Sequence, residues 1–162
     1  MLPVQIYFII LGLSTVYAMF LGGAPERIGA AIIAIGSVLS LEAVSGPIGR
    51  FASVEVGVFL VDVAALVAFL VLALRAERFW PLWVAAFQVI GTAGHAVKLV
   101  DPAVIPRAYA FILALWTYGM LLAVVLGTWN HRRRLARNGA DPSWSTFSGR
   151  SATRRPPGPT AW

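Results

Sequence analysis

The sequence predicts an all-α fold: a polytopic membrane helical bundle of five transmembrane helices followed by a disordered C-terminal tail. Three observations predict it. First, 59% of the 162 residues are hydrophobic and 12% charged, against about 45–50% and about 25% in soluble domains. Second, apolar runs of the length needed to cross a hydrocarbon core, about 20 residues each, recur between short Gly-, Pro- or charge-rich breaks. Third, the net charge of +6 is confined to the C-terminal end. Up to position 129, Arg27, Arg50, Arg75, Arg78, Lys98 and Arg107 are balanced by Glu26, Glu42, Glu55, Asp62, Glu77 and Asp101. The excess comes from Arg132, Arg133, Arg134, Arg137, Arg150, Arg154 and Arg155 against Asp141.

The first span is expected over Pro3 to Phe20, interrupted only by Gln5 and the Ser14–Thr15 pair. A small-residue cleavage pattern at Val16-Tyr17-Ala18 admits a signal peptide, but no basic segment precedes the apolar run, which favours a retained helix. Gly22 and Gly23 end this span. Pro25 suits the first turn of the next, where Glu26 complements the helix dipole. Span two is expected from Arg27 to Val44, with Gly29, Ala30, Ala34 and Gly36 small enough for close helix approach. Span three runs from Phe51 to Leu74 and carries Glu55 and Asp62; Arg75 to Arg78 form a tight charged hairpin. Phe79, Trp80 and Trp83 around Pro81 read as an interfacial aromatic anchor opening span four, which continues to Leu99. After a proline-bounded loop, span five runs from Tyr109 to Trp129. The division is thus 1–129 for the transmembrane domain and 130–162 for a basic, Pro/Ser/Arg-rich tail without periodicity.

Orientation follows from basic residues near the span ends. The loops alone tie, and Arg132, Arg133, Arg134 and Arg137 place the C-terminus in the cytoplasm and the N-terminus outside. The same arginines are candidates for contact with anionic lipid headgroups. A neutral body with basic groups beside a span argues for lipid as the partner and against nucleic acid. A homo-oligomer or another membrane protein is a further possible partner.

Polar groups sort by depth at 1.5 Å rise per residue. Glu42, Glu55, His95 and Lys98 fall toward the outer face, and Asp62 lies roughly 16 Å into span three, near the midplane. Ser14, Thr15, Ser37, Gln88 and Thr117 fall at similar depth. Glu55 and Asp62 share one helix face, and Gln88, Thr92 and His95 form a stripe on the adjacent, antiparallel span. Facing each other, the two stripes make a polar seam from the outer face to mid-bilayer. An acidic residue at a helix centre costs about 2.5–3.5 kcal/mol on insertion scales, so Asp62 must be hydrogen-bonded, paired, protonated or hydrated. Two readings stay open. In one, Asp62 is a proton or cation relay, with Glu55 and His95 as its outer path. In the other, the seam is structural glue and Lys98 snorkels to the interface.

No catalytic residue, metal site or cofactor is predicted. Cysteine is absent, which removes thiolate sites, disulfides and thiol nucleophiles. No Gly-rich phosphate loop and no nucleophile turn is present. His95 and His131 fall at opposite faces and cannot flank one haem. Trp116, Thr117 and Tyr118 read as span packing rather than a ligand cage.

The runs Ala24 to Ala30, Arg78 to Trp83 and Leu126 to Arg134 resemble short uncharacterised multi-spanning inner-membrane proteins of Gram-negative bacteria. The resemblance implies the bacterial inner membrane and no particular activity. The expected function is a non-enzymatic accessory or oligomerising membrane subunit. The alternative is a small transporter or proton-coupled channel subunit using Asp62.

Overall fold

The computed structural model describes residues 2–43, 56–100 and 106–145. They form five helices: α1 (Leu2–Leu21), α2 (Ala24–Ala43), α3 (Val56–Arg75), α4 (Trp80–Val100) and α5 (Pro106–Asn138). Each packs beside the next and α5 closes on α1, while α2 also reaches α5 across the middle. The α1–α2 turn, the α3–α4 turn and the C-terminal end of α5 therefore share one end of the bundle, here called the basic end. Among the described residues the only β pairing is an isolated antiparallel bridge between Ala76 and Trp144.

Among the described residues, three helices are long and apolar enough to cross a membrane: Val4–Leu21 in α1, α2 and α3. The radial pattern is that of a bundle facing lipid. Leu13, Phe20, Leu60 and Leu74 are more than half exposed, while Ser14, Glu26, Arg78, Gln88, His95 and Thr128 are buried. Lipid solvates leucine as well as a protein core does, so the interior is free to hold polar groups.

Local chemistry sets the turns. The Gly22 N–H donates to Ala18 O (2.9 Å), and the Gly23 carbonyl accepts the first bond of α2 from Arg27 N (3.1 Å). A side chain at Gly22 would collide with Ala18 O and Glu26 Cβ, so only glycine lets α1 turn so tightly into α2. Helix α2 opens at Ala24 rather than Arg27, with Pro25 in the first turn, where its missing N–H is harmless.

One packing contact fixes the basic half. Trp80, at the first position of α4, is wedged between Gly29 of α2 and Gly127 of α5, and a methyl at either glycine would overlap the indole. Phe69, Leu72, Val84, Met120 and Val124 complete a dense core around it. In lipid this close fit is held by dispersion and interior hydrogen bonds, with little hydrophobic drive.

The fifth helix departs from expectation at both ends. It begins at Pro106, inside the stretch read as loop, because proline is tolerated at a first helical position. It also runs past Trp129 to Asn138, since arginine and leucine are good helix formers. Gly139, at φ 70°, ends it with its N–H on Leu135 O (2.9 Å), the left-handed cap that glycine favours. The expectation of an unstructured tail from Asn130 is corrected for 130–145. Beyond Gly139 the chain pairs with the α3–α4 turn: Glu77 N donates to Ser143 O (3.2 Å), and Ser145 N donates to Arg75 O (3.0 Å).

Candidate functional site

Asp62 lies about two turns into α3, facing α4. Gln88 Nε2 donates to Asp62 Oδ1 and to the Asp62 carbonyl, both at 3.1 Å. His95 Nε2 lies 2.9 Å from Asp62 Oδ2. Gln88 and His95 are one face of α4 seven residues apart, so one carboxylate spans two turns of its neighbour. The His95 side chain is 1% exposed, whereas that of Asp62 is 24% exposed. Both carboxylate oxygens are thus engaged by α4, while the Asp62 side chain as a whole stays partly exposed.

Asp62 lines a partly open cleft of about 380 Å³ between the helices. All five helices line it, from Val4, Ser40 and Leu41 at the end opposite the basic one to a floor of Phe69, Phe87 and Met120. Aromatic rings share the wall with aliphatic side chains. Tyr7 meets Tyr118 edge-on (5.7 Å between centroids), and Phe87 stacks on Trp116 (5.9 Å). The Tyr7 hydroxyl lies 2.6 Å from Ser37 Oγ, which itself donates to Ile33 O (2.7 Å). Among the described lining residues there is no lysine or arginine, and Asp62 and His95 form an ionisable pair beside Tyr7 and Tyr118. The size falls within the range of small-molecule sites, about 300–1,000 Å³.

Of the predicted seam, the structure brings together Asp62, Gln88 and His95. Thr92 does not join them: its hydroxyl is buried without a hydrogen-bond partner, and Gly91 takes its place in the cavity wall. Glu42 is exposed near the end of α2 and stands apart from the seam. Glu55 and the side chain of Lys98 lie outside the described residues. Trp116, Thr117 and Tyr118, read as span packing, all line the cavity. Their position shows only when α5 is set against α1 and α4.

A second polar centre, at the basic end, escaped the sequence reading. Glu26, read as a dipole-complementing residue, is 0% exposed. Its Oε1 accepts from Trp80 Nε1 (2.8 Å) and Arg78 Nε (3.3 Å). The other nitrogens of Arg78 reach the segment after α5. Nη1 donates to Asp141 Oδ1 (3.0 Å) and the Pro142 carbonyl (2.6 Å), and Nη2 lies 2.9 Å from Asp141 Oδ2. His131 Nδ1 (2.6 Å) and Arg134 Nε (2.9 Å) complete the ring around the Asp141 carboxylate. Burial pushes the Asp141 carboxyl up, but hydrogen bonds from His131 and Arg134 and the charges of Arg78 and Arg134 outweigh it. The net effect holds it below the usual range. Arg134, expected to face lipid with Arg132, Arg133 and Arg137, is thus partly committed to Asp141. Arg132, Arg133 and Arg137 are exposed, and the Arg133 guanidinium lies 5.1 Å over the Trp129 ring. Among the described residues no group of three or more His, Asp or Glu side chains is placed to hold a metal ion.

No known protein family, curated protein or solved structure matches this chain. The reading of its function rests on its own residues.

Proposed function

We propose that this chain is a five-span protein of the bacterial inner membrane that binds and passes a small solute through its hollow half, with Asp62 as the proton-exchanging group. The N-terminus is then outside, and the basic end lies at the cytoplasmic face. The observation that carries the reading is the partly exposed Asp62 side chain in the wall of a cleft lined by all five helices. Structural glue needs the hydrogen bonds but no chamber beside them. Close-packed interiors do not leave such a volume without use. The accessory-subunit reading has weaker support, because it leaves both the chamber and the partial exposure of Asp62 unexplained. Arg132, Arg133 and Arg137 serve the orientation, with the Trp129–Arg133 pair at the headgroup level of anionic lipid.

Native mass spectrometry of the protein released from its own membrane in mild detergent tests the proposal. The expected result is a species carrying a small molecule, with the bound mass lost in Gly91→Leu. Gly91 lines the chamber and has no atom within 4 Å of a would-be Cβ, so the new side chain fills space without displacing any. Recovery of the chain only as a complex with another polypeptide, empty of small molecules, overturns the proposal and restores the accessory reading.

A further inference from the structure

A second hollow, of about 400 Å³, lies between α2 and α3, and its described lining is apolar, with Ile35, Leu39, Leu60 and Ala64 among it. It shares Ile32, Gly36, Val61 and Ala65 with the wall of the Asp62 chamber. Gly36 stands at the junction, with no atom within 4 Å of where its Cβ would be. Ile35, Leu39 and Leu60 are at least half exposed on the outer, lipid-facing surface. The two hollows therefore adjoin at Ile32, Gly36, Val61 and Ala65, and the outer one borders the exposed apolar surface.

Resting on the reading of the chamber as a solute site, we infer that its ligand is a lipophilic amine that enters sideways from the bilayer, between α2 and α3, past Gly36. Two features define the class. An entry lined by isoleucine, leucine, valine and alanine offers no partner to a hydrated solute, and stripping its polar groups of water there is unfavourable. It passes a molecule already dissolved in lipid. Inside, the described residues set the Asp62–His95 pair beside tyrosines, with no lysine or arginine among them, and Tyr7, Phe8, Phe87, Trp116 and Tyr118 present rings. A partly exposed carboxylate among aromatic faces suits an ammonium group, held by charge, hydrogen bond and ring quadrupole together. The amine crosses the apolar gap uncharged, takes up the one proton that the Asp62–His95 pair gives up, and is held as the ammonium against the Asp62 carboxylate.

The natural absence of cysteine makes the test direct. A single cysteine, Gly91→Cys, places a thiol in the chamber wall of the full chain in liposomes. N-phenylmaleimide dissolved in the bilayer is expected to label it faster than a quaternary-ammonium methanethiosulfonate added to the water. Closing the junction with Gly36→Leu should slow the maleimide by about tenfold or more. Ala65→Phe, which closes it from α3, should do the same, so the test survives if one variant fails to fold. Leu60→Cys, on the lipid side of the junction, should label equally with and without either plug. For the ligand class, 1-naphthylmethylamine should protect Gly91→Cys about tenfold better than 1-naphthylmethanol, and Asp62→Asn should remove the difference. Unchanged labelling in both plugged variants, or faster labelling by the aqueous reagent, overturns lateral entry. Equal protection by amine and alcohol overturns the ligand class. Neither outcome touches the chamber reading, which stands or falls on the bound mass lost in Gly91→Leu.

Discussion

Arg78 concentrates the chemistry of the basic end in one side chain. Its planar fork serves Glu26 with one edge and Asp141 with the other, a geometry that a lysine point charge does not reproduce. Arg78→Lys should therefore leave the five helices intact and release residues 139–145, seen as fast amide hydrogen exchange at Ser143 and Ser145. Asp141→Asn keeps the shape and removes the charge that Arg78, His131 and Arg134 surround. A loss of about 2 kcal/mol in stability is expected, read from denaturation in detergent. The pH dependence has a definite sign. The Asp141 carboxyl is held below its ordinary value, so the native state binds its proton less tightly than the unfolded chain does. Its stabilisation is fully present above the unfolded value of about 3.9 and is lost as pH falls through the lower, folded one. Hydrogen exchange in 139–145 should stay slow on acidification through pH 5 and rise only below that unfolded value. None of this was legible locally. Glu26 has a sufficient explanation at a helix N-terminus, Arg78 in a charged turn and Asp141 in a polar tail, yet they meet across 52 and 63 residues.

Glycine at the level of the helices divides into two kinds that the sequence does not distinguish. Gly29 and Gly127 receive the Trp80 indole, whereas Gly36 and Gly91 face open space. Alanine at Gly29 or Gly127 should overpack the α2–α4–α5 contact and destabilise by about 1–3 kcal/mol. Alanine at Gly36 or Gly91 meets nothing and should stabilise by about 0.5–1 kcal/mol through helix propensity. Thermal midpoints of the four variants in one detergent check the contrast; a uniform effect would contradict the wedge. The helices themselves were largely readable, because long apolar runs and Gly/Pro breaks are local signals. So was the meeting of Asp62 with Gln88 and His95, which follows from helical spacing on two sequence-adjacent, antiparallel spans. The ends of α5 were not. Arginine after a span signals an interface equally well whether or not the helix continues through it.

At the scale of the whole molecule, the described residues pack closely at the basic end and leave a cleft beside Asp62. If it spans the bilayer five times, a membrane-impermeant maleimide applied to intact cells should modify Ser45→Cys and spare Ser151→Cys. The reverse pattern would invert the protein, and labelling of both would remove a crossing. Composition and charge placement were enough for the all-helical, lipid-facing class, because excess apolar surface and a one-sided run of arginines are sums over residues and need no coordinates. Helical periodicity in the sequence put Asp62 on one stripe and Gln88 and His95 on another that can face it, and the packing of α3 on α4 joined them. Only the tertiary structure decided that this carboxylate borders a chamber, because a cavity is the space that five helices leave when they meet, and no single helix encodes it. It alone also decided that Arg78 clamps Glu26 and Asp141 together, because a buried ion pair is selected by what remains nearby once water is gone.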